Sequence, residues 1–204
     1  MSIAVRSEGG GMRRAEQREQ TRQTLVRQSR LLFAARGYPA VGLAQIVAAA
    51  GVTKGALYHH FDSKADIFRA VLEQVQQEVA EQIVTAAEAQ PDSWTRLTAG
   101  CRAFLTASTA PGVQQIMLID GPAVLGWAEW RALDEAASAR HLAEALADLV
   151  ADGTIPAQPV APLAHLLSGA MNEAALWLAT TTTPNALDHT WAALARLLHG
   201  LRVH

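Results

Sequence analysis

The chain has 204 residues, half of them hydrophobic and about a fifth charged, enough for a sizeable core in one or two domains. No apolar run reaches the roughly 18 residues that a membrane span needs, and Met1 to Met12 has no apolar stretch of the signal-peptide kind, so the expected location is the cytoplasm. The net charge of -2 hides an asymmetry: residues 1–69 hold eleven Arg and Lys against five Asp and Glu, and residues 70–204 hold six against fourteen. A basic front on an acidic body suits a polyanion-binding head on a non-binding body, although chance clustering on a solvated helix gives the same count.

The pattern is all-α. Residues 1–12, with Gly9, Gly10 and Gly11, show no apolar period and read as a disordered leader, with Met12 a second possible start. From Arg13 to Arg36, Leu25, Leu32, Phe33 and Ala35 form a helical stripe that Gly37 closes. Pro39 and Gly42 bracket a connection to a short second helix, Leu43 to Ala50. Gly51 supplies a sharp turn, Thr53 a cap, and Lys54 to Phe61 a third helix with Leu57 and Phe61 four apart on its inner face. Ser63 caps a long fourth helix running to Ala89, where Pro91 stops it. Further helices are expected over 92–108, 112–119, 122–135, 139–151, 160–181 and 184–202, separated by Pro, Gly and Thr breakers. The organisation expected is a leader at 1–12, a head at 13–69 and a helical body at 70–204.

No catalytic chemistry is legible. There is no H-E-x-x-H, no G-x-S-x-G and no phosphate-cradling Gly-rich loop, so neither an enzyme nor a cofactor site is expected. His59, His60 and Asp62 are a weak metal candidate, because adjacent helical residues point about 100° apart, and no metal site is assigned. Cys101 has no partner for a disulfide or a metal and reads as a small buried hydrophobe.

Two short helices about a glycine turn, packed on a basic first helix, are the arrangement that presents one helix to the DNA major groove. The stretch Phe33 to Phe68, FAARGYPAVGLAQIVAAAGVTKGALYHHFDSKADIF, resembles the N-terminal domain of the TetR family, with Ala49 through Phe61 and Ser63-Lys64 in family order and spacing. The resemblance implies an N-terminal three-helix helix-turn-helix head, a C-terminal ligand-binding and dimerisation body, and a repressor that holds a palindromic double-stranded DNA operator as a homodimer until a small molecule releases it. The DNA contacts it implies are Gln45, Thr53, Lys54, Gly55, Tyr58, His59 and Lys64. Val41 and Gly42 depart from it, standing where relatives carry hydroxyl residues, and remove a side-chain cap.

Beyond residue 90 the resemblance weakens. Ile116 to Arg131 resembles a stretch found in one subgroup of these regulators. It sets Met117, Trp127 and Trp130 beside Asp120, and with Phe104, Met171, Asn172 and Trp177 it gives a candidate wall for a largely apolar effector; ordinary core packing explains the same residues. Leu163, Leu166, Leu167, Ala170, Ala174 and Leu178, with Leu187, Trp191, Leu194, Leu197, Leu198 and Leu201, form wide apolar faces suited to a four-helix subunit interface or to packing within one chain. A helical adaptor or small-molecule binder without DNA binding is the alternative function.

Overall fold

A computed structural model describes residues 8–203, with side chains from Met12 onward. The elements are α1 (Glu8–Arg36), α2 (Leu43–Ala50), α3 (Lys54–Tyr58), α4 (Lys64–Glu88), α5 (Ser93–Ser108), α6 (Gly121–Leu125), α7 (Trp127–Asp134), α8 (Arg140–Ala151), α9 (Val160–Thr180) and α10 (Ala186–His199). Two π-helical stretches, Gln115–Asp120 and Glu135–Ala139, join them. Among the described residues there is no strand, and no helix is long and apolar enough to cross a membrane. α1 already includes Glu8 to Met12, which the sequence reading assigns to a leader; Met1 to Ser7 lie outside the described residues.

The chain divides into two compact units, the first ending at Val71 and the second beginning at Leu72. In the head, Leu25 and Phe33 of α1, Ile46 of α2, Leu57 of α3 and Ile67 and Phe68 of α4 are fully buried. Each lies on the apolar stripe of its helix, and the rings of Phe33, Tyr38 and Phe68 meet one another at 5.1–5.6 Å between centroids. α2 ends at Gly51, whose φ of 65° is the left-handed geometry that makes the turn. Thr53 then starts α3 by accepting the Ala56 N–H at 3.1 Å, a cap worth about 1 kcal/mol. α3 stops at Tyr58, three residues short of the Phe61 expected: the Leu57 carbonyl takes the N–H groups of both His60 and Phe61, which folds the chain over into a turn.

In the body, α5, α8, α9 and α10 pack around Leu97, Leu105, Leu146, Leu149, Leu194 and Leu198. Asp92 caps α5 by accepting the Thr95 N–H at 2.9 Å. The helix expected over 122–135 is broken in two at Gly126, where φ is 80° and α6 gives way to α7. α10 starts at Ala186 rather than Pro184 because Asn185 takes a left-handed φ of 57°.

Of the body's glycines that are described, Gly121 is the most tightly enclosed. A Cβ there would lie 2.7 Å from Trp130 Cδ1 and 3.2 Å from the Ile116 carbonyl oxygen, and Trp130 is fully buried and anchored. Gly121→Ala is therefore expected to destabilise the body by about 1–3 kcal/mol, read as an earlier thermal transition in tryptophan fluorescence. An unchanged midpoint would show that Trp130 yields.

Candidate functional site

The head presents one polar face. α3 buries Leu57 and leaves Lys54, Gly55, Tyr58 and His59 exposed, Tyr58 to 46 %. Lys54 and Tyr58 are four apart and adjacent on the helix, the ammonium lying 5.8 Å from the ring centre. Thr53 accepts from the backbone with its Oγ1 and keeps its own proton to donate. Gly55 carries no side chain, so that the α3 backbone can approach closely whatever it faces. His59 caps the end of α3 and stacks edge-on with His60 at 5.6 Å. Burial lowers the His60 pKa from its usual value, and His59, Arg18 and Arg22 push it the same way against Glu19.

Two predicted contact residues have other work. Gln45 Oε1 accepts the Gly42 N–H at 2.8 Å, the N3-to-N-cap half of a capping box, while Gly42 has no side chain to cap the first turn in return. The Lys64 ammonium donates to the carbonyls of Tyr38 and Val41 at 3.0 and 2.9 Å and lies 3.8 Å above the Tyr38 ring. Lys64 thus staples the α1–α2 connection to the start of α4, with at most one donor left to point outward.

The body holds a cavity of about 300 Å³ between α5, α8, α9 and the last turns of α4. Its wall is mainly apolar, with Ile83, Val84, Leu97, Phe104, Leu142 and Met171, and with Cys101, whose thiol is pushed up to about 12 by burial and stays protonated. Of the residues predicted for a cavity, Phe104 and Met171 line it. Met117 and Trp130 do not, because both are fully buried elsewhere, the indole N–H of Trp130 donating to the Met117 carbonyl at 2.7 Å. Asp120 is buried outside the cavity wall, while Trp127 and Trp177 are surface residues, 61 % and 46 % exposed. Asn172 stands behind the wall, donating to Asp134 at 2.9 Å.

That bond belongs to a polar network that the sequence reading does not contain. Arg131 Nη1 lies 2.8 Å from Asp134 and donates to Ser168 at 3.0 Å, while its Nε reaches Glu135 at 3.3 Å. Burial raises the Asp134 pKa, opposed by the Asn172 hydrogen bond and the Arg131 guanidinium. Asp134, Ser138 and Ser168 all line the cavity, beside His141, Glu144 and Arg96. The spacing of Arg131, Asp134 and Glu135 at three and four was a legible signal for the local part of this network; the partner on α9 was not.

A helix-turn-helix whose second helix buries one face and offers Lys, Gly and Tyr on the other defines a DNA-binding class of protein. Residues 25–71 match the model described as bacterial regulatory proteins, tetR family, and residues 94–201 match a tetracyclin repressor-like C-terminal domain. A solved TetR-family transcriptional regulator from Pectobacterium atrosepticum is 35 % identical with a TM-score of 0.80, over 93 % of this chain and 97 % of that one. The chain belongs to the TetR family of bacterial regulatory proteins. It is also 31 % identical over 109 residues to the Transposon Tn10 TetC protein of Escherichia coli, covering 53 % of this chain and 55 % of TetC. With the HTH-type transcriptional activator FasR of Mycolicibacterium smegmatis it shares 35 % over 97 residues, 47 % of this chain and 44 % of FasR. The chain thus spans about half the length of these curated relatives.

Proposed function

We propose that this chain is a ligand-released transcriptional repressor that holds a palindromic operator as a homodimer and has no catalytic role. The observation that carries the reading is the exposed face of α3, on which Lys54, Gly55, Tyr58 and His59 stand clear of the core that Leu57 anchors. Lys54 offers a long donor to base edges or phosphate, Tyr58 and His59 reach phosphate, and Thr53 binds the backbone at the start of the helix. In the dimer two such helices stand one DNA turn apart, about 34–36 Å.

Release works through α4. Its first turns belong to the head, while Ile83, Val84 and Ala87 line the body cavity. An effector that shifts those residues changes the position of the heads, and operator and effector weaken each other by the same factor.

The test is a gel-shift titration on DNA upstream of the chain's own gene at several salt concentrations. Tyr58→Ala is expected to weaken binding roughly ten- to a hundredfold, and Lys54→Ala to weaken it and reduce the salt slope by about one. Lys64→Ala behaves differently, lowering the melting temperature of the head, because its ammonium bonds two carbonyls within the fold. Full binding by both Tyr58→Ala and Lys54→Ala would remove the α3 assignment, and no binding by the parent protein even at low salt would favour a helical adaptor.

A further inference from the structure

The body cavity has hydrogen-bonding atoms left without partners in its wall and just behind it. Ser138 lines it and is 7 % exposed, yet its Oγ makes no hydrogen bond. Asn172, 2 % exposed and behind the wall rather than in it, uses its amide nitrogen on Asp134 and leaves Oδ1 unpartnered. Asp134 also lines the cavity; Arg131 and Asn172 both donate to its Oδ2, and Oδ1 accepts none of the bonds in this network. Buried polar atoms are nearly always paired in folded proteins, and those in the wall of a cavity mark where a ligand supplies the missing partner. Ser138 reaches this place on the π-helical stretch Glu135–Ala139, a widened turn of the kind found at binding sites.

The charges select among ligands. Arg131 at 2.8 Å already neutralises Asp134, so this part of the wall needs no cationic guest. Elsewhere the wall holds Glu88, Glu144 and Asp148 against Arg96 and His141, a balance that repels a carboxylate or phosphate. A volume of about 300 Å³ sits at the small end of ligand pockets and admits a molecule of one or two rings.

We propose that the cavity takes a small, uncharged, largely apolar molecule bearing an O–H or N–H group, which donates to Asp134 Oδ1 and takes up the unpartnered Ser138 hydroxyl. This deepens the effector reading above and rests on it for its biological meaning, but not for its test.

The test uses the full chain without DNA and four probes on one frame: para-tert-butylphenol, para-tert-butylaniline, para-tert-butylanisole and para-tert-butylbenzoate. The phenol or the aniline is expected to bind in calorimetry and raise the melting temperature, the stronger of the two showing whether O–H or N–H is the preferred donor. The anisole, which has the same bulk and no donor, is expected to bind at least about tenfold more weakly, and the benzoate not to bind. Ser138→Ala loses no bond within the protein, so its own melting temperature is expected to be unchanged or raised while its affinity for the phenol falls. Asp134→Asn is a second variant, expected to abolish the preference if it folds. Equal binding of phenol and anisole, tight binding of benzoate, binding of none of the four, or an undiminished affinity for the phenol in Ser138→Ala overturns the proposal. A phenol that binds with the stated preference and leaves operator occupancy unchanged refutes the effector reading and leaves the ligand class standing.

Discussion

Arg131→Ala is expected to destabilise the body by about 3–5 kcal/mol at neutral pH, and to recover much of that loss in acid. Arg131 and Asp134 have side chains only 13 % and 2 % exposed, and their 2.8 Å pair joins the Asn172 hydrogen bond in compensating for a buried carboxylate. Removing the guanidinium leaves that charge unpaired and breaks the bridge from α7 to Ser168 on α9. The sign of the pH effect follows from the direction of the shift. The folded-state pKa of Asp134 already lies above its ordinary value of 3.8, so the native state holds the proton where the unfolded chain has lost it, and stability falls as pH rises through that window. Without Arg131 the pKa climbs further and the window widens. The gap between variant and parent in denaturant unfolding is therefore largest at neutral pH and closes towards the ordinary aspartate pKa. Asp92 and Asp152 run the other way, their pKa values lowered by hydrogen bonds from Thr95 and Thr154, so their contributions are lost as pH falls. They are common to both proteins and cancel in the difference. A gap that stays constant from neutral to acid pH would show that Asp134 is not the group left exposed to the change.

The head was more legible than the body, for a physical reason. Gly51, Thr53, Leu57 and Ser63 act within a turn or two of themselves, and α2 lies where the sequence put it, from Leu43 to Ala50. Ser63 accepts the Asp66 N–H at 3.1 Å as a cap should. Lys64 has a second role within the fold that the sequence reading does not contain, because its partners, the carbonyls of Tyr38 and Val41, lie more than twenty residues away, and a basic residue at a helix start looks the same whether it points outward or inward. In the body the large side chains drew attention to Met117, Trp127, Trp130 and Trp177, yet bulk says nothing about which void a side chain faces. The indole of Trp130 is satisfied by a carbonyl within its own segment, whereas the cavity is walled by Ile83, Leu97, Leu142 and Met171 from four helices brought together only by folding. The π-helical stretches have no composition of their own; the sequence reading leaves 136–138 between two expected helices, whereas the chain continues there as the π-helical stretch Glu135–Ala139 that carries Ser138.

Leu166→Glu combined with Leu197→Glu is expected to give a folded monomer that binds the operator at least about a hundredfold more weakly, with α3 untouched. The two side chains are 72 % and 65 % exposed in the single chain, on α9 and α10, so neither contributes to the core of its own subunit. Leu167, Leu194 and Leu198, which the sequence grouped with them, are buried inside that core and are unsuitable for the experiment. Ala170 and Gly169 lie exposed beside Leu166, and Ala193 and Gly200 beside Leu197, so a second copy of these helices can approach closely. A carboxylate placed on such a face must be desolvated without a partner each time two copies meet. Loss of the proposed dimer turns a two-headed grip into a single one, and the second contact, which acts at an effective concentration fixed by the linkage, ordinarily adds a hundredfold or more. Sedimentation gives the oligomeric state, circular dichroism the folded state, and a shift assay the affinity. A double variant that remains dimeric would move the subunit interface away from these two leucines, and a monomer that held its operator undiminished would remove the paired-head mechanism.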